Sequence, residues 1–285
     1  MAAAQAISAE LRQWIAAQLA AGHSIPSLRV SMRAAGWQDA ATDAALTEVE
    51  LRGAGIALPA AAQPQAASRM PGPDLSGDPL YIDAGDRRVQ VLQTMRHPRL
   101  IVFGDLLDAD ECEALIAAAR LRLARSLTVE TQTGGETLNV DRTSDGMFFE
   151  RGENEIVARV ERRIAALLRW PLENGEGLQI LRYAPGAQYR PHYDYFDPAE
   201  PGTPSILRRG GQRLATLVMY LQEPEQGGAT TFPDVGLEVA PKRGTGVFFC
   251  YDRPDPSTRT LHGGSPVVAG EKWVATKWLR EREFE

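Results

Sequence analysis

The sequence has little of several features that mark particular protein classes. It contains two cysteines and four histidines in 285 residues. Two cysteines cannot form the disulfide framework of a small secreted domain. A membrane-spanning helix needs roughly 20 consecutive apolar residues, and the sequence has no apolar run of even about 18. We therefore expect neither a disulfide scaffold nor a membrane span.

Basic charge is also scarce. The 31 lysines and arginines are outnumbered by 37 acidic residues, which gives a net charge of −6 at pH 7. Because binding to a phosphate backbone requires a basic surface, we predict no nucleic-acid partner. The opening residues, MAAAQAISAELRQW, lack the basic start and apolar block of a secretory signal. We therefore expect a cytoplasmic protein with reduced thiols at Cys112 and Cys250, and no membrane partner.

The apolar residues, 44% of the chain, predict three regions along it. In residues 1–55 they recur at helical spacing and predict a small module of three helices. This module would either dock a partner or pack on its own main domain. Residues 56–80 are rich in Pro, Ala and Gln without periodicity, which is typical of a linker. Residues 81–285 form the predicted main domain.

Short strands dominate the pattern of the main domain. Two β-rich runs precede a helix that Asp108 can cap, and a second helix is predicted over about residues 154–168. The strands predicted after it are Leu178–Tyr183, Gln188–Tyr193, Leu214–Leu221, Ala229–Phe232, Leu237–Ala240, Gly246–Tyr251, Thr260–His262 and Lys272–Leu279. Such runs, separated by Gly and Pro, are typical of a sandwich or jelly roll. The predicted fold class is mainly β with helical support: a double-stranded β-helix (jelly roll) core flanked by helices, plus the N-terminal helical module.

A metal site is predicted around the segment QYRPHYDYFD, residues 188–197. It holds His192 and Asp194, and side chains two positions apart on a strand leave the same face of the sheet. Among the other histidines, His262 ends a late strand. In a jelly roll that strand would lie beside the strand that carries His192. Two histidines and one carboxylate on one face of a metal form the facial triad typical of non-haem Fe(II) oxygenases.

Lys272 follows His262 by ten residues and is a candidate partner for a cosubstrate. The triad leaves positions open for a bidentate keto acid and dioxygen. The distal carboxylate of a dicarboxylic keto acid would need a fixed cation, and lysine offers a compact charge. A strand-end lysine is usually solvated. Here the run KWVATKWL predicts a buried strand, where an ammonium needs a partner.

Several longer motifs carry a resemblance to a known family. LQILRYAPGAQYRPHYDYF, GGQRLATLVMYL, GGATTFP and LHGGSPVVAGEKWVATKW, with RTSDGMFF upstream, resemble the catalytic domain of the prolyl 4-hydroxylase family of Fe(II)/2-oxoglutarate dioxygenases. The resemblance covers about residues 95–281 and leaves residues 1–80 unmatched. It implies His192, Asp194 and His262 as catalytic iron ligands and Lys272 as the partner of 2-oxoglutarate.

Further roles are implied by matching positions. Tyr183 and Thr230 would bind 2-oxoglutarate, and Tyr189, Arg213 and Trp278 would line a substrate groove. The family often has His two positions after the matching tryptophan, where this chain has Arg280. The expected cofactors are Fe(II), 2-oxoglutarate and O2, with ascorbate as reductant.

The resemblance implies hydroxylation of prolyl residues, at the 4-position, in a protein or peptide that the N-terminal helices could help to dock. The alternatives are the same chemistry on another residue or on a free small molecule, and a non-catalytic binding module. Residues 196–209, directly after the metal segment, would form either a lid or a stiff surface loop.

Overall fold

The computed structural model describes residues 9–39, 41–43, 45, 46, 49, 70–125, 127–129, 136–138 and 143–285. The chain divides into two compact units, residues 1–69 and 70–285. No helix among the described residues has the length and apolar character needed to cross a membrane.

The first unit is helical, as the periodicity predicts. Its helices include α1 (Ala9–Ala20) and α2 (Ile25–Ala34), which is capped by Ser24. The described residues between 39 and 49 are helical too, and the rest of the predicted third helix lies outside the described residues. The apolar side chains form a small core of their own, made of Ile15, Leu28, Met32, Ala45 and Leu46.

The second unit begins earlier than composition predicts. Residues 70–80, assigned above to the linker, belong to this unit. Pro71 and Gly72 are buried, and the Gly72 amide donates to the Leu168 carbonyl at 2.8 Å. The glycine also faces the Arg99 guanidinium, where a Cβ atom would clash. Residues 70–80 of the predicted linker therefore belong to the second unit, and residues 56–69 lie outside the described residues.

A large antiparallel sheet forms the frame of the second unit. Among the described residues its strands run in the order β1-β2-β3-β14-β10-β17-β8-β7-β4. Their bounds are β1 (Tyr81–Asp83), β2 (Arg88–Met95), β3 (Arg99–Gly104), β4 (Ala124–Arg125), β7 (Asp145–Phe149), β8 (Leu178–Tyr183), β10 (Arg213–Gln222), β14 (Gly246–Cys250) and β17 (Lys272–Arg280). All of the predicted strands that belong to this sheet are present.

A smaller sheet covers one face of the large one. Its order in the described part of the chain is β13-β12-β15-β9. The bounds are β9 (Tyr189–His192), β12 (Thr230–Phe232), β13 (Leu237–Val239) and β15 (His262–Gly264). Two short pairs, β5 (Leu127–Val129) with β6 (Glu136–Leu138) and β11 (Gln226–Gly227) with β16 (Val267–Ala269), complete the strands described. Two sheets packed face to face fit the jelly-roll prediction.

Helices cover the opposite face of the large sheet. Asp108 caps α3 (Ala109–Arg120) in a capping box with Glu111, and Asn154 caps α4 (Glu155–Leu168). Strand alternation explains the layering, because neighbouring residues face opposite sides. On β10, Leu217 joins the core beneath the helices, and Tyr220 joins the core between the sheets.

Candidate functional site

His192, Asp194 and His262 meet between the two sheets. One potential ligand atom from each lies within 4.8 Å of the others. The pairing of β9 with β15 explains this, since His192 and His262 are directly opposite in the register. Gly263 permits the close approach, because a Cβ atom there would lie 2.9 Å from the Tyr189 carbonyl oxygen. The predicted meeting of the two strands is confirmed.

Asp194 reaches the site differently from the prediction. The strand β9 ends at His192, so Asp194 lies in irregular backbone beyond it. Strand alternation therefore does not set the direction of this side chain. Its carboxylate instead accepts a hydrogen bond of 2.6 Å from the Thr216 hydroxyl on β10 of the large sheet.

Backbone carbonyls orient both imidazoles. His192 Nδ1 lies 2.9 Å from the Arg190 carbonyl oxygen, and His262 Nδ1 lies 2.9 Å from that of Thr260. Since a carbonyl only accepts, each Nδ1 carries the proton and each Nε2 presents a lone pair. The Nε2 atoms of His192 and His262 lie 3.6 and 3.4 Å from the two Asp194 oxygens. The three side chains thus direct lone pairs to one place.

The electrostatics of this cluster suit a cation. Burial, followed by the neighbouring His262, lowers the pKa of His192, which keeps that imidazole neutral. Burial opposes ionisation of Asp194, but His262 and His192 together hold its pKa well below the usual value. A buried carboxylate and two lone pairs form a site that a divalent ion would complete.

Lys272 lies at the other end of the same pocket, on β17 beside β8. The side chain is 3% exposed, and its ammonium donates to the Gly228 carbonyl at 2.7 Å. No acidic side chain in the described part of the chain pairs with it, and burial lowers its pKa to about 8. A buried ammonium with one neutral acceptor is suited to an incoming carboxylate.

Two hydroxyl groups accompany the lysine. Tyr183 is opposite Lys272 in the strand register, and the ammonium lies 5.0 Å from the centre of its ring. Thr230 lines the same pocket and accepts a 2.7 Å hydrogen bond from the Tyr220 hydroxyl. The structure therefore brings together the predicted cosubstrate residues.

Of the three predicted groove residues, two line this pocket. Tyr189 stacks on the His192 ring with 3.7 Å between centroids. Trp278 lines the pocket from the far end of β17, and its indole Nε1 is buried without a hydrogen-bond partner among the described residues. Both aromatic rings are thus close to the metal cluster.

Arg213 is placed differently. Its Nε and Nη2 donate to the two oxygens of buried Glu176 at 2.6 and 2.9 Å. The guanidinium also stacks on Trp278, 4.1 Å from the ring centre. Arg213 lies outside the pocket and lines a neighbouring groove together with Phe148 and Phe196.

Arg280, at the position where the family often has His, also contacts other groups of the protein. It is 1% exposed, it donates to the carbonyls of Ile206 and Arg209, and it lies 3.6 Å from Glu176. Its contacts therefore fasten the loop at residues 196–209, which contains the short helix α5 (Thr203–Leu207). These contacts fit the stiff-loop alternative.

Sequence reasoning missed four buried residues around the site: Thr216, Tyr220, Tyr251 and Glu176. Thr216, Tyr220 and Glu176 form hydrogen bonds with predicted residues, and Tyr251 forms one with Thr216. Thr216 also lines the pocket. Thr216 and Tyr220 are four residues apart on β10, so strand alternation places them on the same face. That spacing was the one sequence signal that could have assigned them to the site. Nothing in the local sequence indicated that Glu176 would pair with Arg213, because that contact joins distant parts of the chain.

Comparison with known proteins gives consistent matches. The sequence model of the family described as 2OG-Fe(II) oxygenase superfamily matches residues 178–280. Prolyl 4-hydroxylase 5 of Arabidopsis thaliana is 40% identical over 222 residues, 70% of this chain and 74% of that protein. Prolyl 4-hydroxylase 1 of the same plant is 42% identical over 204 residues, 65% of this chain and 70% of that protein. A solved structure, the 2OG complex of the viral collagen prolyl hydroxylase of Paramecium Bursaria Chlorella virus-1, has a TM-score of 0.49 at 33% identity, over 64% of this chain and 95% of that one.

Proposed function

We propose that this chain, which belongs to the prolyl 4-hydroxylase family of Fe(II)/2-oxoglutarate-dependent dioxygenases, hydroxylates prolyl residues at the 4-position in a protein or peptide. When bound, Fe(II) and 2-oxoglutarate supply the chemistry: dioxygen decarboxylates 2-oxoglutarate to succinate and CO2, and its second oxygen atom enters a C–H bond of the substrate. Ascorbate is the proposed reductant.

His192, Asp194 and His262 are the proposed iron ligands. Their donor set fits Fe(II), because two imidazoles, each with Nδ1 facing a backbone carbonyl, and one carboxylate place a potential ligand atom each within 4.8 Å of the others. The chain's contribution is to hold these groups in place before the metal arrives. The carbonyl partners of both Nδ1 atoms fix the ring orientations.

Lys272 is the proposed partner of the distal carboxylate of 2-oxoglutarate, with Tyr183 and Thr230 as further donors. The fit rests on position and charge: the ammonium is buried, faces the pocket that contains the ligand cluster, and has only a carbonyl acceptor among the described residues. The Tyr220 hydroxyl donates to Thr230, which leaves the Thr230 proton for the cosubstrate.

Tyr189 and Trp278 are the proposed contacts of the substrate proline. Flat aromatic rings pack a pyrrolidine ring with little loss of entropy. Phe148 and Arg213, which line the neighbouring groove, both contact Trp278, with 6.3 Å between the Phe148 and Trp278 ring centres and 4.1 Å from the guanidinium to the Trp278 ring centre. A groove next to the pocket supports an extended peptide rather than a free amino acid.

Arg213 retains one nitrogen, Nη1, that can donate to such a peptide. Two of its nitrogens are bonded to Glu176, and no hydrogen bond among the described residues uses Nη1. We propose that Nη1 donates to a carbonyl of the substrate, and that the stacked guanidinium supports the Trp278 ring.

The observation that carries the proposal is the presence of the ligand cluster and Lys272 in one pocket of a chain that matches 74% of a curated prolyl 4-hydroxylase. The test is to incubate the full chain with Fe(II), 2-oxoglutarate, ascorbate and proline-containing peptides, and to locate added oxygen by fragmentation mass spectrometry. We expect one added oxygen on proline. Addition to another residue, or to free proline in preference to every peptide, would contradict the proposal.

The helices of residues 1–55 are proposed to dock the protein substrate. If so, removing residues 1–69 should weaken hydroxylation of a long protein substrate and leave that of a short peptide unchanged. Equal turnover of both substrates by the truncated and full chains would exclude this role.

A further inference from the structure

The Asp194 carboxylate is held by a hydrogen-bonded chain that comes from the sheet opposite the histidines. Thr216 Oγ1 lies 2.6 Å from Asp194 Oδ2, and the Tyr251 hydroxyl lies 3.0 Å from Thr216 Oγ1. Asp194 lies beyond the end of β9, where no strand ladder fixes its direction. The hydroxyl of Thr216 is therefore a main determinant of where this carboxylate points.

The direction of the two hydrogen bonds follows from the chemistry of the groups. A carboxylate that binds a cation is deprotonated and can only accept, so Thr216 must donate its single proton to Asp194. The Thr216 oxygen is then left as an acceptor for the Tyr251 hydroxyl. Both bonds run toward the carboxylate, and each strengthens the other in a buried environment.

Both donors are attached to rigid structure. Thr216 lies within β10, between β14 and β17, and is fully buried. Tyr251 directly follows β14 and is 1% exposed, and its amide donates to the Leu214 carbonyl at 2.9 Å. The Tyr251 ring also contacts Tyr195 edge-on, with 6.1 Å between centroids. The hydroxyl positions are therefore set by the large sheet.

We propose that Thr216 and Tyr251 are positioning residues that set the Asp194 carboxylate for metal binding and so join the large sheet to the small one at the metal site. The inference rests on the proposed role of Asp194 as an iron ligand. The small sheet holds His192 and His262, and the large sheet holds the carboxylate through this chain of hydroxyls. The loss of such outer partners costs about 10- to 100-fold in metal affinity.

The test is a titration of apo protein with Co(II), without 2-oxoglutarate, followed by the visible d–d absorption of the bound ion. Thr216→Val removes the donor at nearly constant volume and should weaken Co(II) binding about 10- to 100-fold and alter the spectrum. Tyr251→Phe should weaken it less, because it removes only the second bond. Thr216→Ser keeps the hydroxyl and should restore binding to near the wild-type value.

Tyr220→Phe is the matched control. Tyr220 is also a buried tyrosine of the large sheet whose hydroxyl donates to a threonine, but that threonine is Thr230, which is not a partner of the Asp194 carboxylate. Its Co(II) affinity should stay at the wild-type value. Thermal unfolding of the apo proteins shows whether each variant folds, and Tyr251→Phe remains informative if Thr216→Val does not.

The outcomes separate the inference from the proposed function. If wild-type protein binds Co(II), Asp194→Ala abolishes binding, and folded Thr216→Val or Tyr251→Phe binds with unchanged affinity and spectrum, the positioning role is wrong and the metal site stands. If wild-type protein and Asp194→Ala bind Co(II) equally, both the positioning role and the ligand assignment are overturned.

Discussion

Lys272 and Arg213 are buried cations at opposite ends of the site, and they are satisfied in opposite ways. At the lysine end, defined by Lys272, Tyr183 and Thr230, the ammonium has one carbonyl acceptor and no acidic partner among the described residues. At the arginine end, defined by Arg213, Glu176 and Trp278, the guanidinium forms a two-pronged pair with a carboxylate of the protein itself. Lys272 and Arg213 are 3% and 9% exposed, so burial does not distinguish them.

The difference shows which cation is available to a ligand. A buried charge without a counter-charge is costly, and an incoming carboxylate would remove that cost. A cation already paired with a buried carboxylate gains little from a second one, and serves better as structural support. We therefore propose that the lysine end binds an anionic cosubstrate and the arginine end a neutral substrate. The following predictions test this assignment.

The largest effect should come from the metal cluster that both ends share. His262→Ala removes one of three ligands, so succinate formation should be abolished both with and without a peptide, while the protein remains folded. Succinate release and circular dichroism measure the two properties. His23→Ala, a histidine of the first unit, is the control and should retain full turnover. Full turnover by folded His262→Ala would contradict the metal assignment.

Lys272→Met should damage the lysine end alone. Losing one partner of a buried charge pair costs about 3–5 kcal/mol, which corresponds to a rise of roughly 140- to 4000-fold in the KM for 2-oxoglutarate. Metal affinity should be unchanged, because no metal ligand is altered. Steady-state kinetics and Co(II) titration check the two statements. An unchanged KM would mean that another cation, with Arg213 the first candidate, holds the cosubstrate.

Trp278→Ala should damage the arginine end alone. Truncation of a buried aromatic anchor in a binding site costs on the order of 2 kcal/mol, or about 30-fold in the kcat/KM for a peptide. Succinate production without peptide should change little. Arg213→Gln should act in the same direction and also lower the melting temperature, since it leaves Glu176 with Arg280 at 3.6 Å. A parallel loss of both activities would remove the distinction between the two ends.

The pH dependence of the KM for 2-oxoglutarate should follow the protonation of Lys272. Burial lowers the pKa of Lys272 from 10.5 to about 8. Since only the ammonium attracts a carboxylate, the KM for 2-oxoglutarate should be flat below this pH and rise up to about tenfold per pH unit above it. The KM of Lys272→Met should show no such rise. A wild-type profile that stays flat through pH 9 would contradict the lowered pKa.

The protonation of Lys272 should also affect protein stability. As pH rises, its loss weakens cosubstrate binding but makes the folded protein more stable. Between about pH 8 and 10.5 the unfolded chain keeps the Lys272 proton that the folded chain has lost. The unfolded state then binds more protons, so this residue's contribution to the free energy of unfolding rises with pH across that window. The difference in unfolding free energy between wild type and Lys272→Met, measured with urea, isolates the contribution.

The smallest effect should come from the first unit, which contains neither end of the site. Removal of residues 1–69 should leave succinate production without peptide near normal. Removal of residues 1–80 should lower the melting temperature, because it deletes the buried Pro71–Pro73 segment and the bond from Gly72 to Leu168. Equal behaviour of the two truncations would place the domain boundary at residue 80 after all.

The sequence predicted features that depend on local pattern. Short β-rich runs separated by Gly and Pro were sufficient to predict the strands. The strand neighbours of a jelly roll predicted the approach of His192 to His262, and the apolar run KWVATKWL predicted the burial of Lys272. Asp194 was assigned to the site for a partly wrong reason: the strand stops before it, and a hydroxyl from another sheet holds it. The pairing of Arg213 with Glu176 joins residues 37 positions apart, and only the assembled fold makes that contact visible.

The central claim is tested most directly by supplying dioxygen labelled with oxygen-18, together with Fe(II), 2-oxoglutarate and a proline-rich peptide. We predict one labelled atom in succinate and one in a hydroxyl group on a peptide proline, in equal amounts, and neither product with His262→Ala. Labelled succinate without labelled peptide, or label on a residue other than proline, would contradict the claim.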